Sequence, residues 1–370
     1  MTQRSHGLAL AAAVVGVFLT ACGTTTPVAS RQSPSASSST APAESPSPSS
    51  APKASPTPTS DPRLVIWDPS NEVRLARLDA RDTATVKGDF QQIAGGQVIV
   101  LNGTTLVALN RNGTTKTLGH LTGSPSAVVV KPDLTQWLYM TWDAGQIYRL
   151  HLGSAGHDGI ITTNPAPTQE QIFRPFTWNA TGVYVTKEPT GLGGAGPFLE
   201  YHFPLAKLDL VSGKVTDVSP ACVAYAVLDD GTMVCGNRAT GAIEVRRPSG
   251  TSNSINLGTD ANTFIRVAVS PDGRRVIIGR NGAKNPVINY QMAVADLTAP
   301  SAAAFGPLDY LPDSWLPDGR IVATHQCVIS DWGGGPCSSG LDGTYFFSAD
   351  GKSHSLFFKL AGNARVVGSI

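Results

Sequence analysis

The chain has 370 residues, 41% hydrophobic and 15% charged, with a formal net charge of +1. That balance provides no basic surplus to neutralise phosphates and argues against a nucleic-acid partner. From residue 63 onward no run of 18 apolar residues occurs, which excludes a helical membrane-spanning domain there.

The first element in chain order is a targeting segment. Residues 1–7 carry Arg4 and no acid, and residues 8–20 read LALAAAVVGVFLT. These 13 residues are too few to cross a hydrocarbon core of about 30 Å, but they suit the apolar region of a secretory signal. Leu19-Thr20-Ala21-Cys22 follows, and it resembles the lipobox of bacterial lipoproteins. The resemblance implies cleavage after residue 21, acylation of Cys22 (palmitate among the acyl chains), and anchoring to a membrane by several chains at about 0.8 kcal/mol per buried CH₂. Gly23 is not the Asp that retains many lipoproteins at an inner membrane. The expected location is therefore the cell membrane or the outer membrane, facing the extracytoplasmic side.

Residues 23–62 are almost wholly Ser, Pro, Thr and Ala, with nine prolines and four charged side chains. Such a segment cannot bury enough apolar surface to offset its ordering entropy, so residues 22–62 are expected to form a lipidated, disordered tether. At about 3.1 Å per residue it would reach roughly 120 Å when fully extended.

Residues 63–370 are expected to form one all-β domain. Short β-branched runs alternate with Gly, Asp, Asn and Pro turns, and helical periodicity is scarce. One unit recurs: an apolar strand, a tight turn such as Pro-Asp-Gly, and a second apolar strand. Its clearest copy is FIRVAVSPDGRRVIIG, and LPDGRIVAT and YAVLDDGTMVCG repeat it. Weaker copies surround Gly96, Asp133 and Gly182. From Gly96 through Leu134, Gly182, Gly231, Gly273 and Gly319 the intervals are 38, 48, 49, 42 and 46 residues. A period near 45 residues, with two more strands after each hairpin, is that of four-stranded propeller blades.

The Ser270-Pro271-Asp272-Gly273 and Pro317-Asp318-Gly319 copies resemble the repeat of TolB-type and WD40-like β-propellers. This resemblance covers most of residues 63–370 and implies an architecture, not an activity. The strands LVIWD, EVRLARLD and TATVKG leave one blade a strand short, and the final NARVVGSI can complete it. Seven blades closed by a carboxy-terminal strand are predicted, with six or eight as the other counts the weak copies allow.

With Cys22 set aside, Cys222, Cys235, Cys327 and Cys337 form an even set, which in an oxidising compartment suggests two disulfides. Cys327 with Cys337 would close a short loop. Cys222 with Cys235 is less direct, because the hairpin at Gly231 sets Cys235 nearer to Ala226 or Tyr225. Four buried free thiols are the other reading.

Catalytic spacing is missing from the sequence: no HExxH, no nucleophile elbow, no zinc-type Cys/His pattern. His157-Asp158 reads as an exposed turn. GLGGAG at residues 191–196 lacks the strand and helix of a dinucleotide cradle. No cofactor and no metal are predicted. Two long insertions, residues 187–204 and 325–345, carry the candidate binding residues Phe198, Tyr201, His202, Asp331 and Trp332, since aromatic loops on a rigid scaffold are frequent anchors. The leading expectation is a membrane-anchored binding or assembly module for an envelope protein, glycan or peptide. The alternative is an extracytoplasmic propeller enzyme, a metal-dependent lactonase, lyase or hydrolase.

Overall fold

The computed structural model describes residues 61–68, 70–142, 147–163, 171–189, 203–237, 240–257, 264–281, 290–325, 341–359 and 364–370. The signal segment, Cys22 and the tether through residue 60 lie outside them. Among the described residues there is no helix, and so none long and apolar enough to cross a membrane.

The strands run in chain order as β1 Leu64–Asp68, β2 Glu72–Ala76 and β3 Asp82–Lys87, then β4 Asp89–Ala94, β5 Gln97–Asn102, β6 Thr105–Leu109 and β7 Thr115–His120. Next come β8 Pro125–Val130, β9 Gln136–Trp142, β10 Tyr148–Ser154 and β11 His157–Thr163. They are followed by β12 Gln171–Asn179, β13 Gly182–Pro189, β14 Pro204–Leu208, β15 Val215–Val227, β16 Met233–Asn237, β17 Ala242–Arg246 and β18 Ser252–Asn256. The last are β19 Phe264–Val269, β20 Arg275–Asn281, β21 Tyr290–Asp296, β22 Ala303–Phe305, β23 Tyr310–Trp315, β24 Ile321–His325, β25 Gly343–Phe347, β26 His354–Phe358 and β27 Arg365–Ser369.

Each of the six hairpins read from the repeat is formed: β4–β5, β8–β9, β12–β13, β15–β16, β19–β20 and β23–β24. The turn chemistry explains why. In the β19–β20 turn, Asp272 Oδ1 accepts from the Arg274 amide at 3.1 Å and from Ser270 Oγ at 2.5 Å. Gly273 takes φ +66° there and donates its amide to the Ser270 carbonyl, a left-handed position that glycine fills at least cost.

Among the described residues the strands form five four-stranded sheets and one of seven strands, β12 to β18. The long β15 joins two arrays: Val215 to Ser219 lie beside β14, while Cys222 to Val227 lie beside β16. In the first sheet the order is β27-β1-β2-β3, so the carboxy-terminal strand completes the amino-terminal sheet as expected.

The core explains the continuous apolar runs. In β5 the alternating side chains serve two different layers: Val98 and Val100 pack with Val65, Val73 and Leu75, whereas Ile99 and Leu101 pack with Val128, Val130, Trp137 and Tyr139. A sheet covered on both faces reads as VIVL, not as apolar-polar alternation. The same layering continues through Val129, Leu138 and Met140 against Ile172 and Trp178, through Tyr184 and Leu205 against Ala224, and through Val234 and Val245 against Val276 and Ile278. Ile277 and Met292 then meet Tyr310 and Trp315. Last, Val322 and Phe346 pack against Leu64, Ile66 and Val366, which returns the layers to the first sheet. Sheets stacked face to face in a closed circuit make a β-propeller.

Candidate functional site

Three polar places stand out, and the topology fixes which end of the ring each belongs to. Because strands within a unit are antiparallel, first-to-second and third-to-fourth connections leave one face. Second-to-third connections and the links to the next unit leave the other.

The first place is axial. A cavity of about 160 Å³ is lined by Phe90 of β4, Arg266 and Val267 of β19, Pro312 and Asp313 of β23, and Arg365, Val366 and Val367 of β27. Sheets that are not neighbours in the stack contribute to it, which places it where the inner strands converge. Arg266 Nη1 donates to Asp313 Oδ1 at 2.5 Å, and the two side chains are 6% and 1% exposed. Asp313 Oδ2 accepts from Thr324 Oγ1 at 2.5 Å, so both carboxylate oxygens are engaged. Arg365 lies over the Trp67 ring, 5.4 Å from its centroid.

The second place is a buried network in the β8–β11 sheet. Thr141 Oγ1 and His151 Nε2 are 2.9 Å apart, and His151 Nδ1 is 3.6 Å from Asp158 Oδ1. Asp158 Oδ2 accepts from Tyr139 Oη at 2.6 Å and from Thr122 Oγ1 at 2.7 Å. The Tyr139 ring stacks on His151 with centroids 4.6 Å apart. Burial pushes the His151 pKa down, against the pull of Asp158, and burial together with Asp158 pushes the Tyr139 phenol up. The order hydroxyl, imidazole, carboxylate is that of an activated nucleophile. Thr141 and His151 are both buried, however, and the carboxylate is tied down by a phenol and a second threonine. The network locks the link after β7 to three strands.

The third place is a groove at the hairpin-turn face. Lys131, Pro132 and Asp133 of one turn, Asn179 to Gly182 of the next, and Asp229 of a third surround a space of about 600 Å³ with Trp178 in its lining. A second hollow of about 600 Å³ shares Trp178 and Gly182 and extends along Lys207 to Leu210 and Lys214 to Val218. Asn179 fastens the turns together: its Oδ1 accepts from the Thr181 amide at 2.9 Å, and its Nδ2 donates to the Leu228 carbonyl at 2.9 Å.

Phe198, Tyr201, His202, Asp331, Trp332, Cys327, Cys337 and Cys22 lie outside the described residues, as does the side chain of Cys222. What is described is the stems. The first insertion springs from β13 and returns at β14; the second springs from His325 and returns at Leu341. At the second stem Tyr310, His325, Tyr345 and His354 form an aromatic group, with Tyr310 T-shaped against His325 at 4.8 Å and Tyr345 at 5.2 Å. Burial and the neighbouring Tyr345 push the Tyr310 pKa up to about 12.

Two local readings are corrected. His157 and Asp158 are exposed as expected but do not form the turn: the turn is Ala155-Gly156, β11 starts at His157, and the Asp158 side chain, 22% exposed, has its carboxylate bonded inward. Cys235 is paired with Ala224 and not with Ala226 or Tyr225, because a bulge between Ala224 and Ala226 shifts the register. Cys222 sits opposite Asn237, one same-face step away. The network, the axial ion pair and the groove were all missed from sequence. Only the buried Arg of FIRVAV and Asp of YLPDSW, charged residues inside apolar inner strands, carried a signal that could have been read.

Among the described residues no group of three or more His, Cys, Asp or Glu is placed to hold a metal ion. Among solved structures the chain is similar to TolB from Acinetobacter baumannii, at 14% identity over 78% of this chain and 77% of that one, with a TM-score of 0.42. It is also similar to an oligogalacturonate lyase in complex with manganese, at 12% identity, 68% and 79% coverage and a TM-score of 0.49. Virginiamycin B lyase from Staphylococcus aureus gives 9% identity, 72% and 92% coverage and a TM-score of 0.42. No protein-family model matches the chain, and no curated protein matches it in sequence. Likeness at this level assigns no activity.

Proposed function

We propose that the protein is a membrane-anchored extracytoplasmic lipoprotein whose seven-bladed propeller, counting β15 in two blades, binds an envelope protein, glycan or peptide. The observation that carries this reading is the placement of the insertion stems. The β13–β14 and β24–β25 connections are both second-to-third connections, so the stems of the two segments that carry Tyr201 and Trp332 lie at the same face of the ring. Two aromatic loops on a common face can engage one partner together, and the second contact then forms intramolecularly at a high effective concentration. Cys22 and the tether would hold that face near a membrane yet free to move. Pairing of Cys222 with Cys235 belongs to the same reading. It is supported by the burial of Cys235, whose sulfur is not a free thiol, and by the register that sets Cys222 one same-face step away.

The test uses the full chain in intact cells with a photo-crosslinking residue at position 201 or 332. A discrete crosslinked species is expected from both positions and from neither Asp133 nor Asp229 on the opposite face. Crosslinking from the groove residues alone would overturn the choice of face. Replacement of Cys22 by Ser should release the chain from the membrane fraction; a variant that stays there counts against the anchor. Elemental analysis of the purified chain decides against the enzyme alternative unless a stoichiometric metal is found.

A further inference from the structure

We propose that the axial cavity is a binding site for one small oxyanion, a phosphate-sized anion or the carboxylate of a small acid. The inference does not depend on which face meets a partner. It starts from charge: two arginines, Arg266 and Arg365, and one aspartate, Asp313, are among the residues that line the space. Asp313 turns one oxygen to Arg266 and the other to Thr324. Its effect is to hold the Arg266 guanidinium in place.

The remaining walls are Phe90, Val267, Pro312, Val366 and Val367. Apolar walls lower the local dielectric, and a guanidinium attracts an anion far more strongly there than in water. Arg365 is preorganised by its position over Trp67, its cross-strand partner in the β1–β27 pairing. A planar fork held in this way suits the paired oxygens of carboxylate or phosphate.

Size narrows the ligand. A space of about 160 Å³ corresponds to roughly five waters at about 30 Å³ each. Sites for organic cofactors and drug-sized molecules run from about 300 to 1,000 Å³, so a nucleotide or sugar oligomer is too large. Two cationic side chains likewise disfavour a divalent metal at this position.

The test is calorimetric titration of the full chain in detergent with inorganic phosphate and, separately, with acetate, at matched ionic strength. Saturable binding of at least one of them is expected with Kd at or below about 1 mM, with none for chloride. Phosphate alone would assign an inorganic or phosphoryl ligand, and acetate alone a carboxylate. Arg365→Gln should weaken binding by about tenfold or more, and Phe90→Trp, which narrows the cavity and keeps both guanidiniums, should do the same. If Arg365→Gln does not fold, Phe90→Trp decides. No saturable binding of either anion, or undiminished binding in the folded variants, overturns the proposal.

Discussion

At the scale of single residues the ring is punctuated by turns in which one carboxylate orders the backbone. Ser348-Ala349-Asp350-Gly351 copies the SPDG geometry without the proline: Asp350 Oδ1 accepts from Ser348 Oγ at 2.7 Å and from the Lys352 amide at 3.1 Å. These bonds hold the Asp350 carboxyl down at about 2. Three turns put a residue other than glycine there: Asn71, Ala80 and Leu134. Ala80 takes φ 64° and donates its amide to the Arg77 carbonyl, as Gly113, Gly250 and Gly351 do at the matching place in their own turns. A left-handed L-residue costs about 1–2 kcal/mol, of which glycine's greater unfolded-state entropy returns about 0.4–1 kcal/mol. Ala80→Gly is therefore expected to stabilise the protein by about 0.5–1 kcal/mol, read as a higher urea midpoint with an unchanged slope. A lower midpoint would show that the turn favours alanine for another reason. The proline also explains what was legible here: a search keyed on Pro-Asp-Gly finds the Asp272 and Asp318 turns but passes over Asp350, where Ser348 does the ordering. HDG around Asp158 looks like the same signal, yet the backbone turns two residues earlier.

At the scale of the element, apolar runs and turn spacing were enough to locate the six repeat hairpins. The polar interactions that join elements were not, because their partners lie far apart in sequence. Thr122 and Asp158, or Arg266 and Asp313, share no local pattern. Only when β9, β10 and β11 pair in one sheet and the link after β7 reaches them do Thr122, Tyr139, His151 and Asp158 meet. That network carries a pH signature. Burial lowers the His151 pKa from its ordinary 6.5, with Arg149 acting the same way and Asp158 opposing. Between pH 6.5 and the lower folded value the unfolded chain binds more protons than the folded one. Stability thus falls as pH drops below about 6.5. The urea midpoint should be lower at pH 5 than at pH 7.5, and His151→Gln should reduce that difference. The carboxyls of Asp133 and Asp350, held at about 2, are ionised in both folded and unfolded chains across this window and do not confuse the result. An equal pH dependence in parent and variant would mean that His151 takes up its proton without disturbing the network.

At the scale of the whole molecule, ring closure depends on the last few residues. β27 presents Val366 to the layer it shares with Leu64, Val322 and Phe346, and Val367 to the layer of Val65 and Val98. Ile370 and Arg63 exchange two backbone hydrogen bonds of 2.9 Å just beyond the strand. Removing residues 363–370 would uncover two apolar layers together and leave the edge of β1 bare. The buried Val366 contributes about 1.5–3 kcal/mol and the partly buried Val367 less, and the exposed edge and the loosened neighbouring sheets add to that loss. A total of about 5 kcal/mol would lower the Tm by roughly 10 °C or more in a domain of this size. The truncated chain should also lose the sharpness of its transition, since sheets on either side of the gap would no longer report on one another. Supplying the missing segment as a separate peptide should restore part of the loss, because β1 offers it a preformed edge. A truncation that melts at the parent's temperature would mean that the other sheets hold the ring closed without β27, and that its pairing with β1 is incidental to stability.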